Sequence, residues 1–140
     1  MFISAELKFK GSNKSIKIYQ FDYEFTQQVD SYGRPSGLVL GGKMNMLFPT
    51  TNDSQILEWA TKPTVLKSGE IVLHEADSAK KRKIEFKNAI CLYYHESFQD
   101  NDGKDQPMFT RITIHASRLI IGGDVWELMY EEPGEERMGG

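Results

Sequence analysis

Near the start of the chain Ala5, Leu7 and Phe9 alternate with Glu6, Lys8 and Lys10, a period of two that predicts a strand with one wet face. Gly11-Ser12-Asn13 predicts a turn, and Ile16 and Ile18 open a second strand. Tyr19, Phe21, Tyr23 and Phe25 continue it on the opposite parity. A β-bulge shifts parity in this way, because it re-aims the side chains and increases the twist. A polar connector, Gln27–Ser36, follows, and at its centre stand Asp30, Tyr32, Gly33, Arg34, Pro35 and Ser36. Gly33 can take a positive φ, and Pro35 holds its own φ at about −65°. Residues 37–48 then predict a strand that is apolar on both faces, with Leu38-Val39-Leu40 followed by Met44, Met46, Leu47 and Phe48. The doublet Gly41-Gly42 inside it marks a bulge or a close backbone approach.

Thr51-Asn52-Asp53-Ser54 is a helix start signal, and Ile56, Leu57, Trp59 and Ala60 supply about two turns with one apolar side. Pro63 stops the continuation. Further strands are predicted over 70–76, 82–98, 108–121 and 124–130. Turns between them are predicted at Lys67-Ser68-Gly69, Asp77-Ser78-Ala79-Lys80, Asp100-Asn101-Asp102-Gly103 and Gly122-Gly123. The long strand from Arg82 also changes parity near Asn88, from Ile84 and Phe86 to Ala89, Cys91 and Tyr93. Long bent strands, bulges and one short helix predict a mainly β protein, a small closed β-barrel with one short flanking α-helix. No repeat or linker divides the chain, so residues 1–132 form a single domain and 133–140 an acidic, loose tail.

The strands with two apolar faces raise the question of what covers them. Burying one large apolar side chain is worth about 1.5–3 kcal/mol, so a row of them left in water is a liability. One eight-residue helix is too small to cover the groups on 37–48, on Ile90-Cys91-Leu92 and on Leu119-Ile120-Ile121. Contact between subunits, by edge-to-edge extension of sheets, takes the remainder. The net charge of −3 argues against nucleic acid, which needs a concentrated basic face. The longest purely apolar run, Ala89–Tyr94, falls far below the roughly 20 residues of a membrane helix, which predicts no membrane insertion. Glu6 stands where a signal peptide would be apolar, and there is one cysteine. Both point to assembly in the cytoplasm without disulfides, and to export, if any, without a cleaved signal.

Candidate chemistry is sparse. His74, His95 and His115 sit on separate strands with no i, i+2 or i, i+4 pairing, so their spacing makes no ligand pattern and no metal is expected. No Gly-x-Ser-x-Gly elbow accompanies them, and Cys91 within Ile-Cys-Leu-Tyr-Tyr is placed for packing rather than attack. No catalytic set and no cofactor are predicted. Lys80-Lys81-Arg82-Lys83 is the one basic run, and it reads as a solvated hairpin end or as half of an electrostatic contact with an acidic surface, such as that of another copy of the chain.

An ordered set of short motifs carries a resemblance over about residues 2–121. It comprises Gly33-Arg34-Pro35 after Asp30, Gly41-Gly42-Lys43, Ile56-Leu57-Glu58-Trp59, Lys83-Ile84-Glu85-Phe86-Lys87-Asn88-Ala89, Tyr94-His95-Glu96-Ser97-Phe98, and Pro107-Met108 before Ile112-Thr113-Ile114-His115-Ala116. Together they resemble Hcp, the TssD tube protein of type VI secretion systems, in its Bacteroidetes branch. The resemblance implies a β-barrel with one flanking helix, assembled into hexameric rings that stack as the inner tube of a contractile injection apparatus. It also implies sheath, spike or baseplate and effector proteins as partners, effectors carried in the lumen, and secretion with the tube. On this reading 30–36 forms the ring-stacking loop with Arg34 as its charged anchor, and Lys80–Lys83 forms an electrostatic subunit contact. The alternatives are the tail tube protein of a phage or phage-like particle and, from another class, a small-ligand-binding β-barrel.

Overall fold

The computed structural model describes residues 1–76, 81–100, 102–104 and 108–127. Lys80 of the basic run, the expected turn 77–80 and the expected tail 133–140 lie outside the described residues. The strands are β1 (Phe2–Phe9), β2 (Ser15–Ile18), β3 (Gln20–Tyr23), β4 (Thr26–Val29), β5 (Pro35–Leu40), β6 (Lys43–Pro49), β7 (Lys67–Glu75), β8 (Lys81–Ser97), β9 (Phe109–His115), β10 (Arg118–Ile121) and β11 (Asp124–Glu127), with α1 (Ser54–Thr61) between β6 and β7.

The parity shift at Tyr19 proves to be more than a bulge. β2 pairs with β1, whereas β3 pairs with β6, and Tyr19 alone separates them. The Tyr19 N–H donates to the carbonyl of Leu47 (2.8 Å) at this crossing. The hydrogen-bonded order β2-β1-β7-β8-β9-β6-β3 therefore ends in two pieces of one continuous stretch, and the sheet returns onto itself. The chain changes partner where its apolar side changes parity, so that Ile18 and, beyond the crossing, the half-buried Phe21 and Tyr23 all pack on the core.

The second parity shift is a kink shared by two strands. Asn88 takes φ 50°, and its N–H donates to Ser68 Oγ (3.0 Å). Before it, β8 pairs with β7 and β10; past it, after a last pair of Ala89 with Lys67 of β7, it pairs with β9 from Ile90 on. On the facing strand Ser117 donates through both its N–H and its Oγ to the Lys87 carbonyl (3.1 Å each). Here the expected single strand 108–121 breaks into β9 and β10, because a straight partner could not follow the bend. The expected turn at Lys67-Ser68-Gly69 is likewise the start of β7, where the β1 backbone lies against Gly69 so closely that a Cβ there would meet the Lys8 carbonyl.

Leu7, Met44, Met46, Phe48, Ile71, Ile84, Phe86, Ile112, Ile114 and Leu119 fill the interior. α1 starts at Asp53, whose side chain accepts from the Gln55 N–H (3.0 Å), and ends at Lys62, held extended (φ −119°, ψ 112°) before Pro63. It buries Ile56 and Trp59. Trp59 packs edge-on to Phe9 at 5.4 Å, stacks with Phe86 at 6.4 Å and donates Nε1–H to the Ala89 carbonyl (2.9 Å).

Candidate functional site

Residues 37–48 are not one strand. The chain breaks at Gly41-Gly42, where Gly42 takes φ +93°, into β5 and β6. β6 buries one face only: Met44, Met46 and Phe48 are buried, and Lys43, Asn45 and Leu47 alternate with them. β5 belongs to no part of the barrel. It pairs with β4 alone, so the expected loop 27–36 is a two-stranded arm standing off the barrel. Every residue from Glu24 to Gly37 is exposed, among them Val29 and Tyr32.

The tip of the arm is compact. The Asp30 carboxylate accepts from the N–H groups of Tyr32 (2.9 Å) and Arg34 (3.0 Å), its own N–H donates to the Arg34 carbonyl (2.8 Å), and the Gly33 N–H returns to the Asp30 carbonyl (3.0 Å). Gly33 takes φ +80° to close this turn. The two backbone N–H groups, Arg34's first, hold the Asp30 carboxyl below its ordinary value. Arg34 Nε stands 3.3 Å from Asp30 Oδ2, and the guanidinium lies 5.1 Å from the Tyr32 ring centroid. Pro35 then opens β5, with Ser36 exposed beside it.

The basic run lies elsewhere. Lys81, Arg82 and Lys83 open β8, all exposed. Lys83 is engaged with Glu70 at 3.9 Å, whereas Arg82 reaches Tyr23 Oη at 3.3 Å, beside the base of the arm. The three histidines stay apart: His74 meets Glu6 (2.6 Å), His95 stacks on Tyr93, and His115 Nε2 lies 3.2 Å from the Gly41 carbonyl. Among the described residues no group of three or more His, Cys, Asp or Glu is placed to hold a metal, and no helix is long and apolar enough to cross a membrane. Burial pushes the Cys91 thiol up from its ordinary value, the wrong direction for a nucleophile.

The sequence pattern missed the base of the arm. Trp126, on β11, donates Nε1–H to the Val39 carbonyl (3.2 Å), and the Ala116 N–H donates to Gly42 (2.8 Å). Between arm and barrel runs a groove of about 630 Å³, lined by Tyr23, Thr26, Val39, Leu40, Lys43 and Trp126. The doublet Gly41-Gly42 signalled a close approach, but nothing local said that a tryptophan 84 positions later would make it.

A family profile described as "Hemolysin coregulated protein Hcp (TssD)" matches residues 1–129. No curated protein matches in sequence. Among solved structures the chain is similar to Hcp1 from Flavobacterium johnsoniae, with TM-score 0.77 and 24% identity over 90% of this chain and 100% of that one. Hcp1 from Salmonella typhimurium is similar at TM-score 0.63 and 16% identity, over 90% and 92% of the two chains. A chain of the anti-feeding prophage baseplate follows at TM-score 0.52 and 12% identity, over 86% and 91%. At these identities the structural likeness is one of fold.

Proposed function

This chain belongs to the Hcp (TssD) family, tube components of type VI secretion systems and not enzymes, and we propose that it builds the inner tube as hexameric rings that stack through the arm β4–β5. The observation that carries the reading is the arm itself. An ordered hairpin exposed on both faces, with Val29, Tyr32 and Leu40 in water and its outer edges unpaired among the described residues, has no work to do inside one subunit. Asp30, Tyr32, Gly33, Arg34, Pro35 and Ser36 form the stacking tip, in which Gly33 and Pro35 set the shape and Arg34 presents the charge. Lys81 and Arg82 offer an exposed basic row to the acidic side of a neighbouring copy. Sheath, spike or baseplate and effector proteins complete the set of partners, with effectors in the lumen, and assembly takes place in the cytoplasm before secretion with the tube. Family membership favours this over a phage tail tube. A ligand-carrying barrel is disfavoured by an interior filled with side chains as buried as Leu7, Met44 and Ile112, each 0% exposed.

Arg34→Glu tests the reading. Light scattering should give a ring of unchanged mass, and electron microscopy should show that tubes no longer form. Dissociation to a 16.0 kDa monomer would sink the proposal, since the arm would then serve contacts within the ring or the fold. Tubes of wild-type length would sink it equally.

A further inference from the structure

The arm leaves the barrel through Val39–Gly42, and three of the carbonyls in that stretch are held by donors from the far end of the chain. Trp126 Nε1–H donates to Val39 (3.2 Å), His115 Nε2 faces Gly41 (3.2 Å) and donates to it as the hydrogen-bearing nitrogen, and the Ala116 N–H donates to Gly42 (2.8 Å). Packing confines the same stretch from both sides. A Cβ on Gly42 would sit 2.8 Å from two carbons of the Trp126 ring and 2.6 Å from the Ala116 carbonyl oxygen. A Cβ on Gly41 would run into the Phe25 ring, whose centroid lies 5.9 Å from that of Trp126. Gly42 also needs its positive φ, so glycine is required there twice over. A chain that merely leaves a barrel needs none of this. A single point of attachment would let a hairpin swing, whereas three held acceptors and two rings fix its direction.

We infer that Trp126 and His115 are positioning residues that set the angle at which the arm projects, and that Trp126 places this angle under the control of strand β11. Over its described residues, Asp124–Glu127, β11 pairs with β10 alone, and its Val125 is exposed. One strand holds it among the described residues, and whatever moves it moves the arm. If the arm stacks rings, as proposed above, every arm of a ring must present the same pitch at once, and preorganisation of this kind strengthens such multivalent contacts. The clamp itself does not depend on that reading; only its consequence for tubes does.

Hydrogen–deuterium exchange on the full chain tests the inference, with ring mass and tube length measured on the same samples. Trp126→Ala should speed exchange across 26–40 by about tenfold, leave β6–β9 and ring mass as in wild type, and shorten tubes. His115→Phe, which removes the donor to Gly41, should produce a smaller rise in the same segment. His115→Gln, whose amide keeps a donor, should restore wild-type exchange. Unchanged exchange in 26–40 in both Trp126→Ala and His115→Phe would overturn the clamp, and so would a rise spread evenly through β6–β9. Should Trp126→Ala fail to fold, the contrast between His115→Phe and His115→Gln decides alone. Faster exchange confined to the arm with tubes of normal length upholds the clamp and removes the arm from the stacking role instead.

Discussion

Asp30 organises the tip of the arm through charge as well as shape. Its carboxylate is held below the ordinary 3.8 chiefly by the Arg34 and Tyr32 N–H groups. A carboxyl depressed on folding contributes fully above its unfolded pKa and loses that contribution as pH falls through its folded one. The turn should therefore be insensitive to pH from neutrality down to about 4, and should loosen only below 3.8. Amide chemical shifts of Gly33 and Arg34 followed down in pH check this. In Asp30→Asn, which keeps an acceptor oxygen but does not titrate, the turn should persist without the acid transition. Glu6 obeys the same sign through its hydrogen bond to His74, with its loss falling below 4.5.

Among the elements, α1 buries Ile56 and Trp59, and Trp59 ties it to the sheet. The Trp59 ring lies between Phe9 and Phe86, and its Nε1–H satisfies the Ala89 carbonyl just past the Asn88 kink, so helix and kink hold each other. Trp59→Phe keeps most of the packing and removes the indole donor to that carbonyl, at a cost of about 1–3 kcal/mol. Trp59→Ala also opens a cavity and should cost about 3–5 kcal/mol. Thermal unfolding should rank wild type, Phe and Ala in that order, with each kcal/mol worth about 2–8 °C. The helix and its ends were legible because Asp53 and Pro63 act locally. The inclusion of 67–69 in β7 was not, because Gly69 answers to the backbone of β1 and not to its own neighbours.

Across the whole molecule, the proposed ring symmetry would turn small terms into decisive ones. An exposed ion pair contributes about 0–1 kcal/mol. If each Arg34 supplied ~1 kcal/mol against the next ring, a six-fold ring would lose ~6 kcal/mol on its removal, enough to abolish stacking at ordinary concentrations. Such a contact is screened over about 10 Å at 0.1 M salt, whereas the sheet and apolar contacts proposed within a ring would not be. Raising ionic strength should therefore shorten tubes at constant ring mass, as sedimentation and light scattering would show. Rings that dissociate before the tubes shorten would assign the salt-sensitive contacts to the ring instead.

Local pattern was enough for the mainly β class, the single helix, the sites at Tyr19 and Asn88 where strands change course, and the motif order that points to the family. These follow from period, capping and breaker residues, whose physics reaches only a few positions along the chain. Pairing belongs to the fold. That β2 and β3 are the two ends of one closing sheet, and that β5 leaves the barrel for an arm while β6 stays, depends on which backbone lies alongside, a long-range choice that no window of sequence contains. The apolar faces of 37–48 looked alike in sequence because period does not say which neighbour covers a side chain. Trp126 shows the same limit most plainly: its indole matters because the fold brings it under Gly41-Gly42, and that meeting exists only in three dimensions.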